Sequence, residues 1–163
     1  MATAILTAQR LRELHVYNPD TGVFTRLQSR GGYLAGAESG TTNTIGYRVI
    51  CIDKVDYYAH RLAFLFMTGE IPAIVDHING NRSDNRFINL RPSSKKLNAQ
   101  NIRGANSKNG LGILGAYIGQ NGRFASRIRI DGRNKFLGEF ATPELAHQAY
   151  LEAKRKHHDA NTL

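Results

Sequence analysis

At 163 residues the chain is long enough for one ordinary domain or two small ones. Its formal charge of +9 favours a polyanionic partner, and no apolar run approaches the roughly 20 residues of a membrane-spanning helix. The single cysteine, Cys51, excludes internal disulfides and a four-cysteine zinc ribbon, so oxygen and imidazole ligands would have to hold any metal.

In chain order, Thr7 predicts the cap of a short helix with Leu11 and Leu14 on one face. The opening stretch has no basic n-region and too short an apolar run for a secretory signal, so the expected location is cytoplasmic. Asn18-Pro19-Asp20-Thr21-Gly22 reads as a turn, with Val23–Leu27 as a strand after it. Residues 31–46 are rich in Gly, Ser and Thr and predict a surface loop or loose hairpin. Residues 46–52 are β-branched and aromatic, hence a strand, with Cys51 expected as a small buried hydrophobe in it. Asp53–Asp56 should turn the chain and Tyr57–Ala59 return it. His60–Met67 reads as an apolar helix capped by Gly69.

Ile74-Val75-Asp76-His77-Ile78 is an apolar strand interrupted by two adjacent polar residues, and Asn79-Gly80-Asn81 is a tight-turn signal. The chain returns through Arg82–Asn89 to Leu90-Arg91-Pro92, and Ser93 should cap a helix of about ten residues ending near Ile102. A Gly-, Asn- and Ser-rich linker follows. Residues 116–119, 124–130 and 135–140 then read as three strands joined at Asn121-Gly122 and Asp131-Gly132. Thr142 caps a last helix, Pro143 to about His157, with Leu145, Ala146, Ala149 and Ala153 as its packing stripe. His60 is expected as a buried hydrogen-bonding residue, and His147, His157 and His158 as solvated ones. Tyr47, Tyr57 and Tyr58 are expected in core and sheet.

The positive charge is uneven. Residues 1–70 carry a net +1, residues 71–110 a net +5 and residues 111–163 a net +3. The middle third is therefore where chemistry on a phosphate backbone is sought. Phosphodiester hydrolysis needs an activated water, a Lewis acid and stabilisation of the leaving oxygen. His77 supplies an imidazole whose pKa lies near neutrality, suited to a general base. Asp76 supplies an oxygen for a hard metal that keeps several waters, and Asn98 on the following helix can add an amide oxygen. Neighbouring strand residues face opposite ways, so Asp76 and His77 address one substrate only if the strand bends at its end. Asn89, on the return strand, is placed to hydrogen-bond one ring nitrogen of His77 and set its tautomer.

Val75-Asp76-His77-Ile78-Asn79-Gly80-Asn81-Arg82, Asp84-Asn85-Arg86, Asn89-Leu90-Arg91 and Asn98 together closely resemble the HNH (His-Me finger) endonucleases of phages and mobile introns. The likeness extends upstream through Gly46-Tyr47-Arg48 and Tyr58-Ala59-His60-Arg61-Leu62-Ala63. It implies a ββα-metal fold, His77 as general base, Asp76 and Asn98 as metal ligands and Asn89 as the residue orienting His77. The third letter of the motif is Asn98 rather than His, as in the phage branch. Asn is a neutral and weaker ligand, so affinity for soft metals should be low.

Gly115-Ala116, Phe124-Ala125, Ile128, Leu137-Gly138, Phe140, Thr142 and residues 146–150 resemble the AP2-type DNA-binding domain. That family carries tryptophans in its sheet; here Ile118 and Phe124 stand in their places. The likeness implies a sheet in the major groove, with Arg123, Arg127, Arg129 and Arg133 nearby. Arg82, Arg86, Arg91, Lys95, Lys96, Arg103 and Lys108 complete the expected DNA contacts.

The expectation is thus an α+β protein. A ββα-metal nuclease unit with an N-terminal β-rich extension spans 1–103. A linker spans 104–114, and an AP2-like unit of three strands and a helix spans 115–163. The expected function is metal-dependent cleavage of double-stranded DNA, of homing, restriction or packaging type. It would use one Mg²⁺ or Mn²⁺ per site and no structural zinc, as a monomer or homodimer and without a membrane partner. The rival readings are a non-catalytic AP2-like DNA-binding protein and an enzyme directed at RNA.

Overall fold

A computed structural model describes residues 6–119 and 122–158, which fall into two units, Met1–Ser94 and Lys95–Leu163. The first opens with α1 (Ala8–Leu14), whose first turn is capped as expected: Thr7 Oγ1 accepts the N–H of Arg10 at 3.1 Å. Next, β1 (His15–Asn18) pairs antiparallel with β2 (Val23–Arg26). Sequence reading missed β1, because four residues are too few to display alternation. Its period of two emerges in burial, with His15 and Tyr17 inward and Val16 and Asn18 outward. The turn between them closes as predicted, with Asn18 Oδ1 accepting the N–H groups of Asp20 (2.9 Å) and Thr21 (3.2 Å).

β3 (Thr41–Thr42), β4 (Arg48–Ile52) and β5 (Val55–Tyr58) form an antiparallel sheet in that order. The return strand starts two residues earlier than expected. Asp53 and Lys54 both adopt positive φ (49° and 68°) and close the turn by themselves. Cys51 is exposed, contrary to expectation, because Ile50 and Ile52 occupy the inward positions of β4. α2 (Ala59–Thr68) ends at Gly69, which takes φ 83° and donates its N–H to Leu65 O at 3.0 Å. Leu62, Ala63, Phe64 and Leu65 of α2 join Leu11, Phe24 and Ile50 in the core. Each of the large side chains contributes roughly 1.5–3 kcal/mol by burial. β6 (Val75–His77) and β7 (Leu90–Pro92) form a separate antiparallel pair, with Leu90 packed into the same core.

In the second unit, α3 (Lys95–Gln100) is shorter than predicted. The Asn101 N–H is shared between the carbonyls of Leu97 (3.1 Å) and Asn98 (3.2 Å), which tightens and ends the helix. β8 (Ala116–Ile118), β9 (Phe124–Ile130) and β10 (Arg133–Phe140) form an antiparallel meander, as read from the sequence. The Asp131-Gly132 turn has the expected positive φ at both residues (47° and 81°); Asn121 of the other turn lies outside the described residues. α4 (Pro143–His157) covers this sheet, and Thr142 Oγ1 accepts the N–H of Leu145 at 3.3 Å. Of the predicted stripe Ala146 is buried and Ala149 and Ala153 are half-buried, with Lys154 buried beside them, while Leu145 is 48% exposed. Tyr150 lies against Gly115, where any Cβ would sit 2.0 Å from the ring. His147 and His158 are not solvated: they donate to the carbonyls of Leu114 (2.7 Å) and Arg129 (2.9 Å), pinning α4.

Candidate active site

β6 and β7 are only three residues each, and the segment between them makes its own scaffold from Asx side chains. Asn79 Oδ1 accepts the N–H of Asn81 at 2.8 Å, and Asn81 Oδ1 accepts that of Ser83 at 3.1 Å. Asp84 is the hub. Its carboxylate accepts from Asn79 Nδ2 at 2.7 Å and from Arg86 Nε (2.8 Å) and Nη2 (2.7 Å). These bonds, led by the one from Arg86, hold the Asp84 carboxyl down at about 2. The loop closes on β6 through Ile78 N–H to Asn89 O (2.8 Å) and Gly80 N–H to His77 O (2.9 Å).

His77 is 4% exposed, at the end of β6. Its Nε2 lies 3.2 Å from Asn85 Oδ1, and the amide group of Asn85 donates to Ser83 O at 3.2 Å, which fixes which end of the amide meets the ring. An amide oxygen only accepts, so Nε2 carries the proton and Nδ1 is the basic nitrogen of the neutral ring. Burial pushes the His77 pKa down, opposed by the Asn85 hydrogen bond and by the charges of Asp76 and Asp84. The sequence reading gave this orienting role to Asn89. Instead Asn89 accepts from the N–H of Asn79 at 2.9 Å and donates to Asp84 O at 2.8 Å, so it ties the loop together. It stands in a 3₁₀ turn (Phe87–Asn89), one residue before β7. The density of Asx residues from 79 to 89 is the signal that points to Asn85, but not to its partner.

Asp76 is also buried (7% exposed) and sits opposite Arg91 across the β6–β7 ladder. Arg91 donates to Asp76 Oδ2 from both Nε (3.2 Å) and Nη2 (2.8 Å). The Arg91 fork fixes the orientation of the carboxylate, whose oxygens are of the kind that suits a hard cation. Among the described residues, no group of three or more His, Cys, Asp or Glu side chains is placed to hold a metal ion. A hydrated Mg²⁺ asks for less, one or two protein oxygens. Asn98 lies exposed on α3, in the second unit.

Aromatic rings surround His77. His60 packs edge-on against it at 5.0 Å, with Tyr47 6.0 Å away, and His60 is itself stacked on Tyr58 at 5.5 Å. His60 is buried as expected, but its Nδ1 has no hydrogen-bond partner among the described residues and ring contacts hold it. Burial, with the nearby His77 and Arg61, drives its pKa to about 3, so it stays neutral beside the His77 ring. His15 is also buried and its pKa lowered, chiefly by desolvation.

A histidine whose folded pKa lies below its unfolded value takes up a proton on unfolding, so stability falls as pH drops. For His60 the window runs from 6.5 down to about 3. Each such group costs up to about 1.4 kcal/mol per pH unit within its window. Thermal melts between pH 7 and pH 5 should therefore show a falling Tm, and His60→Phe should flatten that slope. A Tm independent of pH in the parent protein would contradict buried, neutral histidines.

The N-terminal hairpin supports the loop from behind. Tyr17 OH donates to Asn85 O at 2.7 Å, Phe87 N–H donates to Pro19 O at 2.9 Å, and Gly22 lies flat against the Asn85–Arg86 peptide. Sequence reading saw β2 and its turn but not this support, which joins residues up to 68 positions apart.

The basic residues divide by environment. Arg86 pairs with Asp84 while remaining exposed, the half-buried Arg91 pairs with Asp76, and Lys96 pairs with Asp131 at 2.7 Å. Arg82 lies over the Tyr47 ring at 5.2 Å. Lys95, Arg103, Lys108, Arg123, Arg127, Arg129 and Arg133 are exposed. Arg127 and Arg129 project from the same face of β9, away from buried Ser126 and Ile128, and Arg127 covers the Tyr117 ring at 4.8 Å.

Residues 57–100 match the family model described as HNH endonuclease. The matched segment begins on β5, ends at the last residue of α3, and contains Asp76, His77, Asn85, Asn89 and Asn98. No curated protein and no solved structure matches the chain. Over residues 57–100, then, the chain is similar to an HNH endonuclease domain.

Proposed function

We propose that this protein hydrolyses phosphodiester bonds of double-stranded DNA with one divalent ion, Mg²⁺ or Mn²⁺. The observation that carries this reading is the His77 ring, held as one tautomer by Asn85 beside the buried Asp76, which Arg91 orients. In the proposed step His77 Nδ1 takes a proton from the attacking water. Asp76 would hold the cation, with Asn98 as the second oxygen donor that the family likeness implies. When bound, the ion supplies Lewis acidity at the scissile phosphate and charge stabilisation at the departing 3′ oxygen. Arg91 fixes the Asp76 carboxylate, and neutral His60 and Tyr47 shield the base from bulk water. Likeness to the HNH family implies ends with a 5′ phosphate and a 3′ hydroxyl.

Asn85 is a positioning residue in this scheme. Asn85→Ala should lower kcat by about 10- to 100-fold with KM nearly unchanged, since the loss falls on the base and not on DNA contacts. A matched rise in KM with unaltered kcat would contradict that role.

Delivery to DNA is assigned to the second unit, in the AP2-like manner, through the outward face of β9. Its exposed Arg127 and Arg129, with Tyr117 alongside, pair charge with an aromatic surface. The substrate class is tested by offering labelled duplex DNA and a structured RNA of equal length in Mg²⁺. Cutting confined to the duplex DNA is expected, and preferential cutting of the RNA would overturn the assignment.

A further inference from the structure

At the far end of β4 from His77 lies a second polar cleft. Tyr47, next to His77, precedes β4 and Asp53 follows it, so about 20 Å of extended chain separates the two places. The cleft has a volume of about 350 Å³ and is walled by α1, β1, β2, the 28–33 loop and the β4–β5 turn. Four cationic side chains line it, Arg10, Arg26, Arg30 and Lys54, against the single carboxylate of Asp53. Arg10 holds that carboxylate at 3.0 and 3.2 Å, and Arg30 approaches it at 3.7 Å. Neither Arg26 nor Lys54 forms an ion pair among the described residues.

The second observation is an unmet demand for hydrogen bonds at the same place. His15 lines the cleft, is 3% exposed, and neither of its ring nitrogens has a hydrogen-bond partner among the described residues. Arg26, directly opposite His15 across the β1–β2 ladder, has a buried Nε that is likewise unpartnered. Native proteins seldom leave buried polar atoms unsatisfied, and those that remain point to a missing ligand or water. At the mouth, Tyr33 is 58% exposed, with the Arg26 guanidinium 4.6 Å above its ring.

We infer that this cleft is a phosphate-binding site, separate from the cutting site and sized for one nucleotide unit. Guanidinium groups bind phosphate oxygens in pairs. The neutral His15 ring offers one N–H to an oxygen, and Tyr33 offers a face on which a base stacks. The volume exceeds what a bare phosphate fills and lies in the range of small-ligand pockets. The phosphate comes either from a free nucleotide or from a nucleotide of a DNA strand, and the chemistry of recognition is the same.

The test uses the full-length protein in EDTA, so that nothing is cut and the result is independent of the proposed cleavage. The imidazole signals are followed by ¹H–¹³C NMR, with His15 assigned by its loss in His15→Gln and His60 serving as the control ring. The probes are inorganic phosphate, deoxyadenosine monophosphate and a short duplex DNA. We expect the His15 signal to shift saturably with a phosphate-bearing probe while His60 stays put. The double variant Arg30→Gln/Lys54→Gln should weaken that binding about tenfold or more at unchanged Tm. A shift with the mononucleotide assigns the site to free ligands, and a shift with duplex alone assigns it to the DNA strand. A His15 signal unmoved by all three probes, or equal affinity in the double variant, would overturn the inference.

Discussion

Replacing His77 with alanine should lower DNA cleavage by roughly 10²–10⁴-fold, the usual contribution of a general base. Affinity for DNA should be nearly unchanged. The expected loss is large because nothing nearby substitutes for the ring. His60, at 5.0 Å, is the nearest imidazole, but its orphaned Nδ1 is buried and its protonation demands about pH 3. The expected sparing of affinity follows from burial: at 4% exposure His77 offers little surface to a phosphate backbone. The measurement is the single-turnover cleavage rate alongside binding by fluorescence anisotropy in Ca²⁺. Loss of binding parallel to loss of cutting would mean that His77 holds substrate and does not move a proton.

Gly22→Ala should be nearly as damaging, though the residue is remote in sequence from the motif. Gly22 has φ +76°, a conformation that costs an alanine roughly 1–2 kcal/mol by itself. A Cβ at Gly22 would lie 2.4 Å from the Asn85 carbonyl carbon and 2.5 Å from the Arg86 nitrogen. Those atoms are backbone and cannot swing aside, so either the β1–β2 turn or the loop over residues 79–89 must move. A total loss of about 3 kcal/mol or more is expected, in the range of overpacked cores. If the loop yields, Asn85 leaves His77 and kcat falls even at temperatures where the variant is folded. Chemical denaturation and kcat on the same preparation check both parts. Parent-like stability would show that the two backbones are not in contact.

Local chemistry was the legible part. Capping by Thr7 and Thr142, the Asn18 turn, the Gly69 helix stop and the Asp131-Gly132 hairpin depend on residues within four positions of each other, so sequence displays them. The Asp76–His77 pair was legible for the same reason, as two polar residues on an apolar strand. Side-chain partners were less so. Asn85 and Asn89 lie four positions apart in an Asx-rich loop, and only the folded path of that loop decides which of them meets the imidazole. The pairing of charges was not legible either. Arg86 and Arg91 count toward a basic surface in the sequence, but each finds a carboxylate on its own hairpin. The histidines 147 and 158 were invisible as structural residues because their partners are backbone carbonyls more than 25 positions away.

In the proposed function Asp76, His77 and a hard cation cut DNA. Its most direct test is incubation of the purified protein with supercoiled plasmid in Mg²⁺ and, in parallel, in EDTA, with the ends mapped. Nicked or linear DNA with 5′ phosphate and 3′ hydroxyl ends is expected in Mg²⁺, and intact supercoils in EDTA. Plasmid that is bound but uncut in Mg²⁺, or cut equally well in EDTA, would contradict it.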